Sequence, residues 1–329
     1  MNYGVILRAP EVDDYIFGGL TRVIKAPLLA PGTAWDFAYR PVGERQWTTK
    51  TDTMACVSFS ALNVVEWVMN YKIKNNLLSV SSLVWLHENG YLDDSGFFNG
   101  SDRFTAKMSG TTPDGNYLTK VGASIRHDGV VPEALWPFVP SASWEEYYKE
   151  IPEHIQQLGR AFAERFNVQY EAVTMADAAE ALRYSPVQVV VHSWDVAVDN
   201  VFTRTTKELN HAVTLYRLPP TTYEIFDHFV WGTDRSYAKQ LAADYIFYNW
   251  GYIYSITEKD MLDVRALEIK GKKIILGVPS GKLYLNKNGK LLEIAPERAP
   301  QAALMALIEA GFGTGVKDEE LEDVAKGTF

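Results

Sequence analysis

Apolar residues at helical spacing mark the best-defined segment of the chain. Ala55, Cys56, Val57, Phe59, Ala61, Leu62, Val64, Val65 and Trp67 predict a buried helix that opens at Cys56. A second helical pattern covers residues 118–126, and Ser143 with Glu146 three positions on forms a capping box that predicts a helix running to about Phe166. From about residue 185 the period changes. Residues 186–191 form an unbroken apolar run typical of a buried strand. Residues 211–216 and 223–227 read as two strands joined by a turn containing Pro219 and Pro220, and residues 245–248 as a further short strand. Residues 55–140 therefore make a helical half and residues 185–260 a β half, an α+β order that predicts two lobes with a cleft between them. Beyond residue 265, residues 282–286 and 290–294 flank Asn288-Gly289, a two-residue hairpin signal. Short helices are expected over 300–310 and from Asp318 to Ala325. The predicted division is an N-terminal extension (1–30), a two-lobed domain (31–265) and a C-terminal appendage of hairpin and helices (266–329).

With 329 residues, 47% of them hydrophobic and 13% aromatic, the chain can bury one large core and carry an appendage. A formal charge of −9 with no stripe of Lys and Arg argues against a nucleic-acid partner. No run reaches the ~18 apolar residues of a membrane span, and the first residues lack the pattern of a secretory signal. A cytoplasmic protein is expected, and a single cysteine agrees. Metal and cofactor sites are not expected. One cysteine and six scattered histidines offer no zinc spacing, and the calcium-like opening Asp93-Asp94-Ser95-Gly96 has Phe104 where the twelfth-position glutamate belongs. Trp136 and Trp250 read as core or cleft wall.

Cys56, the lone thiol, is predicted at a helix N-terminus, where unpaired N–H groups and the helix dipole favour thiolate and lower the thiol pKa. The alternative is a small buried hydrophobe. His211 begins a predicted strand. If the following hairpin is centred on Pro219, His211 and Asp227 are cross-strand neighbours whose side chains touch, and a carboxylate beside an imidazole fixes its tautomer and orientation. Cys56, His211 and Asp227 then make a catalytic triad. His192, at the end of the 186–191 strand, reads as a cleft-lining, substrate-side residue rather than the base. His228 should point to the face opposite Asp227.

With these residues in place, the chain resembles the papain-like cysteine peptidases. Pro41-Val42 leading to Gln46 is similar to the start of the family's mature domain, which implies Gln46 as oxyanion donor. Gly115-Asn116-Tyr117 resembles the strip whose backbone pairs with a bound peptide, and the stretch from Gly129 to Trp136-Pro137-Phe138 resembles the family's aromatic-proline-aromatic segment. The resemblance spans about residues 30–260 and is closest in style to disulfide-free members encoded by bacteriophages. Three departures stand out. Gln46 and Cys56 are ten residues apart, so about four residues within 47–52 must loop out relative to papain. Met54-Ala55 and Val57-Ser58 surround the cysteine in place of the usual sequence. Asp227 stands where the family has asparagine, and Asn249-Trp250-Gly251, which imitates the family's asparagine motif, ranks second as the group orienting His211.

The resemblance implies a thiol hydrolase acting on a peptide or protein substrate through a covalent acyl-enzyme. The alternatives are acyl transfer or cell-wall peptide cleavage by the same triad, or a papain-fold component of a phage virion with weak or lost hydrolysis. In the last case the 266–329 appendage would dock phage structural proteins.

Overall fold

The computed structural model describes residues 4–11, 14–19, 22–24, 26–195, 197–199, 201–218, 221–229 and 237–259, and the backbone of four strands beyond residue 264. The helices are α1 (Cys56–Lys74), α2 (Val80–Glu88), α3 (Asp102–Met108), α4 (Leu118–Asp128), α5 (Trp144–Tyr147), α6 (Glu153–Arg165) and α7 (Ala178–Ala181). The strands are β1 (Phe166–Thr174), β2 (Val187–Val191), β3 (Ala197–Val198), β4 (Val201–Phe202), β5 (His211–Arg217), β6 (Thr222–Phe226), β7 (Ala238–Ala242), β8 (Trp250–Glu258), β9 (Arg265–Ile269), β10 (Lys272–Gly277), β11 (Lys282–Lys287) and β12 (Lys290–Ile294). They divide into two compact units. One gathers residues 1–71 with 91–257, the other residues 72–90 with 258–329.

In the first unit an eight-stranded sheet has the order β1-β8-β2-β5-β6-β7-β4-β3. The first fifteen residues of α1 are buried on every side, as a helix apolar all round must be. Its few polar groups tie it to the sheet. Gln188 Nε2 donates to Val57 O (2.8 Å) and Ser60 Oγ (2.9 Å), and Thr214 Oγ1 donates to Ser60 O (3.0 Å). Trp67 stacks on Tyr216 at 4.8 Å and meets Phe226 edge-on. These links fix the first turns of α1 against β2 and β5, which is what locates Cys56. The N-terminal residues also belong to this unit: Ile16 bridges Ala172, and the backbone N–H groups of Val23 and Ile24 donate to Glu171.

Two predicted elements differ. Ser143 does cap a helix, its hydroxyl accepting from Glu146 N, but α5 ends at Tyr147. The helix expected to continue to Phe166 restarts at Glu153, because Pro152 lacks an N–H and disfavours helical geometry in the residue before it. Phe166 then opens β1 instead of closing a helix. Residues 245–248 make a single bridge, Phe247 to Val191, and the strand proper is β8, which starts at Trp250.

In the second unit Ser79 caps α2 and holds the Glu258 carboxylate through its hydroxyl (2.6 Å) and backbone N–H (3.0 Å). Strands β9 to β12 form an antiparallel meander, and Lys287 pairs with Lys290 across the expected Asn288-Gly289 connection. The helices expected over 300–310 and from Asp318 lie outside the described residues.

The first unit also buries four carboxyl groups together. Glu44 and Asp102 share a side-chain hydrogen bond, Glu66 accepts from Gly100 N (2.7 Å), and Glu133 accepts from Phe138 N (2.5 Å). Burial raises the pKa of all four. Neighbouring carboxylates add to this for Glu66, Asp102 and Glu133, and Glu133 is pushed up to about 9. The folded chain therefore keeps protons here that the unfolded chain has lost above about pH 4.5, so stability falls as pH rises through that window. His228 has the opposite effect, but only between its ordinary value of 6.5 and about 4. Thermal unfolding is thus expected at a lower temperature at pH 9 than at pH 6.5, and Glu133→Gln should flatten this slope. Parallel slopes for the two proteins would show that Glu133 does not hold its proton.

Candidate active site

Cys56 is the first residue of α1 and is 1% exposed. Its sulfur accepts hydrogen bonds from the backbone N–H groups of Ala212, the residue after His211, and Val57. The helix terminus is therefore present, but the lowered thiol pKa expected from it is not. Burial pushes the Cys56 thiol well above its ordinary value, and the negative charges of Asp52 and Asp227 raise it further, outweighing the two N–H donors.

His211 Nε2 lies 2.7 Å from Asp227 Oδ1, with both side chains 1% exposed. The register behind this contact differs from the predicted one. Strand β5 pairs Thr214 with Phe226 and Leu215 with Ile225, two residues out of step with a hairpin centred on Pro219, and a bulge between Leu215 and Arg217 shifts the pairing by one more residue, setting Arg217 against Glu224. A slip of two keeps every side chain on its face, so His211 meets Asp227 diagonally rather than directly across. The carboxylate has further donors. Phe229 N donates to Oδ1 (2.9 Å), Trp194 Nε1 donates to Oδ2 (2.8 Å), and Lys239 Nζ stands 3.2 Å from Oδ2. Burial alone would raise the Asp227 carboxyl, but the charges of Lys239 and His211 and these hydrogen bonds hold it well below the usual carboxylate range.

Gln46, Cys56, Asn63, Ala212, Asp227 and His228 line one small pocket. Gln46 is fully buried and donates from Nε2 to Asp52 Oδ1 (3.0 Å), which also accepts from Met54 N (2.9 Å). The extra residues between Gln46 and Cys56 loop out as expected: Trp47 bridges Asp52 and encloses a turn closed by Thr48 N to Thr51 O (2.9 Å). His228 takes the face opposite Asp227, as expected: it meets Phe59 of α1, just as Phe226 meets Trp67, while Asp227 meets His211, Trp194 and Lys239. The His228 ring contacts Asn63 Oδ1 (2.7 Å) and Glu44 O (2.6 Å), and burial pushes its pKa down to about 4, which keeps it neutral.

His192 is held apart, with Nδ1 at 2.6 Å from Glu208 O. Asn249 is exposed, and its carbonyl accepts from Met175 N (3.0 Å). Trp136 sits in a core cluster with Phe104, Val131, Ile151 and Ile155. The 115–117 strip is paired within the chain itself: Val5 bridges Asn116, Ile6 N donates to Asn116 O (2.8 Å), and Asn116 N donates to Gly4 O (2.9 Å). Gly4, at φ +112°, is pressed against the backbone of Met54, two residues before Cys56. The sequence reading missed Trp194 and Lys239, which are reached only through the register of several strands.

An α+β fold that sets a cysteine at the head of a buried helix against a strand carrying a histidine is the papain-like cysteine protease fold. It is shared with xylellain, a cysteine protease from Xylella fastidiosa, at a TM-score of 0.51 and 14% identity over 77% of this chain and 95% of that one. The cysteine protease CMS1MS2 of Carica candamarcensis matches at a TM-score of 0.43 and 12% identity, covering 68% of this chain and 97% of that one. The bromelain protease of Ananas comosus matches at 0.42 and 16%, covering 68% and 97%. No family model matches the sequence, and no curated protein matches it. Among the described residues no helix is long and apolar enough to cross a membrane.

Proposed function

We propose that this chain is a papain-like thiol peptidase with Cys56 as nucleophile, His211 as base and Asp227 as the group that orients the ring. The observation that carries this reading is the buried His211–Asp227 contact of 2.7 Å, one residue from the Ala212 N–H that donates to the Cys56 sulfur. With the Nε2 proton directed at Asp227, the lone pair of the ring lies on Nδ1, and that nitrogen takes the thiol proton. The raised pKa of Cys56 gives the transfer its purpose, since the helix terminus alone does not supply a thiolate. The sulfur attacks the peptide carbonyl. The developing oxyanion is held by the Cys56 backbone N–H and by the Gln46 amide, whose other N–H is given to Asp52. The imidazolium returns its proton to the leaving amine, and water attacks the thioester to release the acyl group.

The test is a peptide library incubated with the protein before and after iodoacetamide treatment, with products and the modified residue identified by mass spectrometry. Alkylation at Cys56 should stop all cleavage in proportion to its extent. Cleavage that continues in fully alkylated protein would refute the reading.

A further inference from the structure

Lys239 occupies an inward position on β7, between half-buried Ala238 and outward Gln240, and is 3% exposed with its side chain fully buried. An apolar residue is the usual occupant of such a position, and a buried lysine persists only when its charge is paired. The strand registers explain where it points. Leu215 pairs with Ile225 and Ile225 with Lys239, so these three form a row across β5, β6 and β7. His211 and Asp227 are each an even number of residues from that row and share its face, and Asp227 N continues the β6–β7 pairing by donating to Tyr237 O (2.8 Å). The ammonium lies 3.2 Å from Asp227 Oδ2 and 5.7 Å from the centre of the Trp194 ring, while the imidazole takes Oδ1.

A bare carboxylate on the imidazole would bind a proton tightly into the ring. A neutral acceptor would orient the ring without doing so. We propose that Lys239 is a positioning residue of this site: its ammonium locks and neutralises Asp227, so that the Asp227–Lys239 pair acts on His211 as an acceptor of little net charge. The proposal rests on the triad reading above. Among the described groups that face the thiol and the ring, Asp52 and Asp227 are acids, Tyr148 is a half-buried phenol, His228 is kept neutral by burial, and Lys239 supplies the compensating positive charge.

The experiment follows the rate of Cys56 alkylation by iodoacetamide against pH, which needs no turnover, beside kcat/KM for a cleaved peptide. Lys239→Met removes a positive charge and so raises the proton affinity of thiol and ring together. Both profiles should move up by about one pH unit, while Lys239→Arg should stay near the natural protein. Asp227→Asn alone strands the ammonium. Its profiles should move down, with kcat/KM reduced by about 10²-fold, and Asp227→Asn with Lys239→Met should recover at least about tenfold of that loss. The double variant carries the test if Lys239→Met fails to fold. Unshifted profiles in Lys239→Met, or a double variant no better than Asp227→Asn, would overturn the proposal. His211→Gln with an unchanged alkylation profile would instead remove the triad reading itself, whatever the Lys239 variants do.

Discussion

Cys56→Ser and His211→Ala are each expected to lower kcat/KM for a cleaved peptide by about 10⁴-fold or more, and the double variant by no more than the worse of the two. In the proposed triad the two groups act as one unit: the ring takes the proton of the thiol, and without the thiol it has no proton to pass on. Once either is lost, removing the other changes little. Neither replacement should unfold the chain. Serine offers an acceptor to the same two backbone N–H groups that point at the sulfur, and in His211→Ala the Asp227 carboxylate keeps Trp194, Lys239 and Phe229 N. Steady-state rates with thermal unfolding as a control decide the matter. Additive losses in the double variant, or a single loss under about tenfold, would mean that hydrolysis proceeds elsewhere.

The altered third residue changes what a conservative swap should do. Asparagine is the residue that the family resemblance would place at 227, and from the sequence alone Asp227→Asn reads as a mild replacement. With an ammonium 3.2 Å from the carboxylate it is not expected to be mild, because the substitution removes the negative charge that a buried cation is held against. Asparagine at 227 is expected to be tolerated only when Lys239 is replaced with it.

How far the site was legible follows from which distances along the chain fix each residue. The Cys56 helix is local: its apolar run alone places the thiol at a terminus. The His211–Asp227 contact survived a register error because side chains alternate with period two and the error was two residues. An error of one would have separated them. Lys239 and Trp194 carried no such signal. A lysine in the short strand Ala238–Ala242 reads as solvent-facing, and only the pairing of three strands turns it inward. The break at Pro152 was written in the sequence and overridden by the amphipathic pattern on either side. The aromatic run at 245–248 has strand composition, yet it passes β2 with one bridge. The protonation state of Cys56 was the least legible feature. It depends on total burial, to which distant segments contribute, and burial outweighed the helix terminus that the local sequence predicts.

Releasing the N-terminal segment is expected to speed both alkylation of Cys56 and peptide hydrolysis by about tenfold or more. Residues 4–6 are paired with Asn116, in the strip where a bound peptide backbone is expected, and Gly4 lies against Met54 beside the nucleophile. A substrate bound along that strip would have to displace them. Two backbone hydrogen bonds contribute about 1 kcal/mol each and the burial of Val5, 5% exposed, about 1.5 kcal/mol; ordering the segment offsets about half of this. A net of about 1.5 kcal/mol keeps the open form near one molecule in ten, so its removal should lower KM about tenfold and leave kcat nearly unchanged. A chain lacking residues 1–8 tests this directly. Gly4→Ala tests it by a single atom group: at φ +112° a side chain is strained, and its Cβ would stand 2.0 Å from Met54 O, so the segment must lift away. A synthetic peptide of residues 1–8 should then compete with substrate in the shortened chain. If both variants fold, and neither alkylation nor KM changes, residues 4–6 do not lie in the path of the substrate, and the peptide strip must be sought elsewhere on the sheet or on α4.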